Sequence, residues 1–163
     1  MERKHLLVAA IATLAAFSLC APEAHALGFT GVGAKLGYTS PERFDGTTEV
    51  GVHAELAERG SPVSLMPNFM YWSVDSYRNA NPNLDVHYRF APAGRMTPYV
   101  GSGVGLNFID GERFGDSETQ VGMNLIGGLR FPGSGPNYFL EARHMLSDLN
   151  QTSVLAGVTF GAR

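Results

Sequence analysis

Two pairs of titratable residues stand two positions apart in the chain, His53 with Glu55 and Asp85 with His87. In an extended strand residues i and i+2 share a face, so either pair could offer an imidazole and a carboxylate to one metal ion, or pass a proton between them. A metal centre needs a third ligand at a recognisable spacing, and neither pair has one. The chain also holds arginines able to claim the carboxylates. The expectation is packed, hydrogen-bonded side chains with no metal and no cofactor. Glu141 and Arg143 have the same spacing and opposite charge, which makes them part of an ion-pair network rather than a catalytic dyad. His144 and Ser147 carry the chemistry for acyl-ester hydrolysis, a base and a hydroxyl nucleophile. Their spacing of three sends the two side chains to opposite faces of an unbroken strand, so no catalytic residue is assigned. Asp110, Glu112, Asp116 and Glu118 lack the spacing of a calcium loop and read as a solvated acidic loop.

Cysteine chemistry is excluded by position. Arg3 and Lys4 precede an apolar run from Leu6 to Leu19, and Ala24-His25-Ala26 follows, the pattern of a secretory signal peptide cut after Ala26. The run is 14 residues, short of the roughly 20 a spanning helix needs. Residues 1–26 are therefore read as a signal peptide and 27–163 as one mature domain. The only cysteine, Cys20, leaves with the signal peptide, and Leu19 stands where a lipoprotein site requires a small residue. The net charge of -3 supplies no basic field for a phosphate backbone, so nucleic acid is not an expected partner.

From Leu27 onward the chain lacks the i, i+3, i+4 stripe of a helix and alternates apolar with polar residues, the period of a strand with two unlike faces. In 83–90, Asn83, Asp85, His87 and Arg89 oppose Leu84, Val86, Tyr88 and Phe90 without exception. Similar alternation runs through 31–38, 49–56, 99–108, 121–130, 138–146 and 154–160. The least regular segment is 63–71, where Pro67 interrupts and both faces are fairly apolar. Polar stretches at 40–46, 75–82 and 110–118 alternate with compact Gly/Pro turns at 58–62, 91–95 and 132–136. Eight strands result, with both termini at one end and the longer loops at the other. Those loops, together with Asp148 in the connection before the last segment, hold eight acids against Arg43, Arg78 and Arg113, a net -5, which would repel anionic ligands.

Eight antiparallel strands close most economically into a barrel, because closure removes unpaired edges. Alternation leaves open which face is outside: a soluble periplasmic barrel would bury its apolar face around a small apolar ligand, and a membrane barrel would turn it to lipid. Three features favour the membrane orientation. Gly101, Gly103, Gly105, Gly122 and Gly128 lie on the polar face and suit a narrow interior. The same face carries both signs of charge, which can pair in a dry lumen. Aromatic residues, Trp72 among them, gather near segment ends as interfacial girdles do. The expected lumen network is structural and consists of Lys35, Glu49, His53, Glu55, Asp85, His87, Arg89, Asn107, Asn124, Arg130, Glu141 and Arg143.

The run Thr97-Pro98-Tyr99-Val100-Gly101-Ser102-Gly103-Val104-Gly105-Leu106-Asn107-Phe108, the later Tyr138-Phe139-Leu140-Glu141-Ala142-Arg143 and the terminal Leu155-Ala156-Gly157-Val158-Thr159-Phe160 resemble the small outer-membrane β-barrel domain family, the OmpA/OmpX-like class. The resemblance implies an eight-stranded antiparallel up-and-down transmembrane β-barrel, monomeric and without cofactor, in a Gram-negative outer membrane. It implies contact with outer-membrane lipid and insertion by the barrel-assembly machinery. The family usually ends on an aromatic residue, whereas Phe160 is followed here by Gly161-Ala162-Arg163. The function so read is structural or surface-interacting and non-enzymatic, with an external partner the sequence does not identify. The alternatives are the soluble ligand-binding barrel and, third, a lipid A-modifying barrel hydrolase.

Overall fold

The computed structural model describes residues 27–111 and 118–161, and the proposed signal peptide lies outside them. Eight strands follow one another as β1 (Gly28–Pro41), β2 (Thr47–Ala57), β3 (Val63–Val74), β4 (Tyr77–Arg89), β5 (Thr97–Gly111), β6 (Glu118–Pro132), β7 (Asn137–Leu146) and β8 (Gln151–Gly161). Each pairs antiparallel with its sequence neighbours, and β1 closes on β8 from Gly31 opposite Gly161 to Pro41 opposite Gln151. Closure leaves no strand edge with unpaired amides.

Period-two alternation decides the faces. Outside lie Val32, Leu36, Val52, Val86, Val104, Leu125, Leu140 and Val154, all well exposed. Inside lie buried Lys35, Glu49, Asp85, Asn107, Asn124, Glu141 and Arg143. An apolar outside and charged inside reverses the order of a soluble protein and suits lipid as solvent. The soluble reading needs the apolar face around a pocket, and that face points outward. Outward aromatics form two bands, with Tyr38, Tyr71 and Phe108 towards one end and Phe29, Tyr88, Phe90, Tyr138 and Phe160 towards the other. Trp72 does not join them. It points inward at 1% exposure, because the register sets it opposite inward-facing Glu49.

The connections correct two expectations. The stretch 75–82 is not a loop: β4 begins at Tyr77, and only Asp75 and Ser76 turn the chain, Asp75 with φ of 51°. The asparagines that mimic loop composition point inward in register, Asn79, Asn81, Asn83 and then Asp85. Nor, among the described residues, are the connections longer at the end away from the termini. There they occupy 42–46, 75–76 and 147–150, against 58–62, 90–96 and 133–136 at the terminal end, while the β5–β6 connection lies outside the described residues. Polar residues that read as loop continue the strands, because a ladder running beyond the apolar belt still pairs every amide. Gly60 and Gly94 take positive φ in the terminal-end turns, where an L side chain would be strained.

Both prolines inside strands are accommodated. Pro67 faces outward; its pairing with β4 is continuous, while the β2 ladder lapses between Asn68 and Leu65. At Pro82 the β5 ladder lapses likewise, and the Asn81 side-chain amide donates to the Leu106 carbonyl at 2.8 Å in place of the amide proline lacks.

Candidate functional site: the barrel lumen

The interior is crowded because large inward side chains sit beside glycine on the adjoining strand. Gly33 pairs with His53, Gly51 with Met70, Gly101 with His87, Gly103 with Asp85, Gly128 with Tyr99 and Gly157 with Phe139. In each case a Cβ on the glycine would collide with that partner's side chain. The polar-face glycines therefore make room for a neighbour on the next strand, not for the strand across the lumen.

Along the axis the contents change in layers. At the end away from the termini Trp72, Ile109 and Leu149 form a buried apolar cluster, with Phe44 and Val74 packed on it. The Phe44 ring lies 5.8 Å from Trp72 and 4.8 Å from Tyr77, closing that end. Beneath it comes an amide and hydroxyl layer. Trp72 Nε1 donates to Gln151 Oε1 at 3.0 Å, and Gln151 Nε2 donates to Glu49 Oε1 at 2.8 Å. Asn79 and Asn81 both donate to Asn107 Oδ1, and Asn107 Nδ2 donates to the Met145 sulfur.

The middle layer carries the buried charges. Arg143 Nη2 reaches Asp85 Oδ2 at 2.7 Å and Glu141 Oε1 at 3.3 Å, while Lys35 Nζ reaches Glu141 Oε1 at 3.1 Å. Asp85 also accepts from Asn68 Nδ2 at 2.7 Å and Asn124 Nδ2 at 2.9 Å, and Glu141 accepts from the Tyr99 hydroxyl at 2.9 Å. Such extra donors are what a buried carboxylate requires beyond its ion pair. Among the described residues Glu49 is the interior carboxylate without an ion-pair partner; Gln151 serves it instead.

At the terminal mouth Glu55 receives two guanidiniums. Arg89 Nη1 binds Oε1 at 2.7 Å, and Arg130 binds both carboxylate oxygens at 3.1 Å. The arginine side chains are 25% and 20% exposed, against 3% for Glu55. A cavity of about 30 Å3 lies just inside, bordered by Lys35, Tyr99 and Glu141. That volume is about one water.

All twelve residues singled out from the sequence point into the barrel, though not into one contact set. His53 Nε2 meets Thr159 Oγ1 at 3.0 Å and its ring packs edge-on to Phe139; His87 stacks on Tyr99 at 5.0 Å. The i, i+2 pairs are thus divided, the imidazoles to hydroxyl and aromatic neighbours and the carboxylates to arginines. Among the described residues no three His, Cys, Asp or Glu are placed to hold a metal. His144 faces outward and its Nδ1 meets Thr152 Oγ1 at 2.9 Å, while Ser147 Oγ donates to the Leu149 carbonyl at 2.6 Å. Each has a partner other than the other. The alternation already set Asn83 and Tyr99 on the inward face without assigning them to the network, and sequence reasoning missed Asn68, Asn79, Asn81, Gln151 and the apolar interior of Trp72, Met70 and Met145. Extending the alternation backwards from Asn83 would have found Asn81 and Asn79; nothing local marks the rest.

No protein-family model matches the chain, and no curated protein matches it. Solved structures do. Neisserial surface protein A superposes with a TM-score of 0.66 at 12% identity, over 82% of this chain and 96% of that one. Ail, the attachment invasion locus protein of Yersinia pestis, gives 0.56 at 12% identity over 84% and 100%, and a de novo designed transmembrane β-barrel gives 0.54 at 19% over 85% and 98%. At such identities the likeness establishes the fold, an eight-stranded antiparallel transmembrane β-barrel.

Proposed function

We propose that this chain is a monomeric, non-enzymatic protein of the bacterial outer membrane, a plugged barrel serving as structural element or as scaffold for surface interaction. The observation that carries the reading is the pairing of a continuous apolar exterior with a filled, charge-balanced interior, in which Lys35, Arg89, Arg130 and Arg143 face Glu49, Glu55, Asp85 and Glu141. An eight-stranded interior is just wide enough for side chains, so solute passage is not its business. Two structural neighbours are by their names a surface protein and an attachment invasion protein, which supports this reading. In this reading its lipid partner is the outer membrane, the barrel-assembly machinery inserts it after cleavage near Ala26, and the end away from the termini faces outward. The acidic residues there, including Glu42, Asp45, Asp75, Asp110 and Asp148, favour a cationic or neutral external partner.

The test is gel mobility of boiled against unboiled protein from the detergent-extracted envelope. A heat-dependent shift, with nothing released by high salt, supports the reading. Release by salt without a shift overturns it. Lipid A from overexpressing cells should be unaltered, and any deacylated species would overturn the non-enzymatic part.

A further inference from the structure

The two mouths differ in kind. Trp72, Ile109 and Leu149 close the far one with apolar packing, whereas the terminal mouth opens into a vestibule of about 550 Å3 among its turns. We propose that this vestibule binds an anionic phospholipid headgroup, its phosphate between the guanidiniums of Arg89 and Arg130 and its acyl chains leaving over the rim beside Tyr88 and Phe90.

Charge points to an anion. Two guanidiniums share the single carboxylate of Glu55, so the cluster carries one excess positive charge. Each spends two donors in contacts, Arg89 on Glu55 and the Ser61 carbonyl and Arg130 on both Glu55 oxygens, and keeps further N–H groups. Both arginines line the vestibule and are partly exposed to it. Planar guanidinium forks are suited to phosphate oxygens. Among the described residues of this end, Arg59 and Arg95 add to Arg89 and Arg130 against Glu55 and Glu58, while the opposite end is strongly acidic. That asymmetry directs an anion to this mouth.

Shape points to a lipid rather than a free anion. The lining passes from inward Arg89 to Tyr88 and Phe90, which belong to the outward face. Their rings pack edge to face at 5.2 Å and stay about half exposed. An amphiphile with a charged head and apolar tails uses both sides of that rim; a soluble acidic peptide uses one. The volume lies within the range of small-molecule sites, roughly 300–1,000 Å3. Glu55 is then a built-in competitor, holding the two guanidiniums until phosphate displaces part of its contacts.

The experiment is native mass spectrometry of the full mature barrel released from neutral detergent, loaded with phosphatidylglycerol or phosphatidylcholine at equal concentration. Phosphatidylglycerol adducts should exceed phosphatidylcholine adducts by about tenfold and fall by about tenfold in R89Q/R130Q, with R78Q, at the opposite end of the barrel, unchanged. E55Q, which removes the competitor, should retain more phosphatidylglycerol than wild type. This opposite sign keeps the proposal testable if the double arginine variant fails the gel-mobility check of folding. Equal retention of the two lipids, or no change in both E55Q and a folded R89Q/R130Q, overturns it. Full displacement of phosphatidylglycerol by equimolar inorganic phosphate or a short acidic peptide also overturns it, by making the mouth a soluble-anion site.

Discussion

Replacing Arg143 with alanine should destabilise the barrel far more than the same change at Arg89, although both are lumen arginines paired with carboxylates. The Arg143 side chain is 4% exposed and joins Asp85 to Glu141 at 2.7 and 3.3 Å. Its removal leaves Asp85 with two amide donors and no cation, and gives an otherwise balanced interior one uncompensated negative charge. Breaking a buried pair from one side costs about 3–5 kcal/mol, or roughly two to four orders of magnitude in the folding equilibrium constant. Arg89 is 25% exposed, and without it Glu55 keeps Arg130 on both oxygens. The loss there should be about 1 kcal/mol, the scale of a solvent-accessible pair. Urea unfolding in lipid vesicles, with the folded fraction read from unboiled gel mobility, measures both. R143M/D85N restores neutrality and should lose less than the two single changes combined. An R143A barrel within about 1 kcal/mol of wild type, or equal costs for R143A and R89A, would refute a dry, charge-paired interior.

The same assay tests the packing of glycine against its neighbours. G103A should cost about 1–3 kcal/mol, because its Cβ would overlap the Asp85 carboxylate. G127A, which meets nothing within 4 Å, should be neutral or stabilising by about 0.4–1 kcal/mol; reversal of that order would refute the pairing rule. Trp72 is the only tryptophan in the chain and points inward, so brominated lipids should quench it weakly and should strongly quench an outward reporter in W72F/F108W. Strong quenching of the wild type would show the β3 faces reversed. H144A should leave stability within about 0.5 kcal/mol of wild type, as expected of an outward, partly exposed residue; a loss above about 2 kcal/mol would refute that position.

Much of this molecule is written locally. Alternation in 83–90 fixes which side chains share a face without reference to the rest of the chain, because extended backbone turns successive residues to opposite sides. Eight such segments with Gly/Pro turns imply a closed sheet, and polar glycines with charges of both signs imply a narrow filled lumen. Tertiary structure alone decided who meets whom inside. Lys35 finds Glu141 across 106 positions and Arg143 finds Asp85 across 58, contacts set by the stagger of strands around a closed barrel, which no local window contains. It also decided where strands end: Asn79 and Asn81 read as loop residues by composition, and only the ladders to β3 and β5 keep them in β4. The β3 face was open for the same reason, since Phe69, Met70, Tyr71 and Trp72 are all apolar. Period-two reasoning needs contrast between faces, and where contrast fails the register against a neighbouring strand must supply the answer.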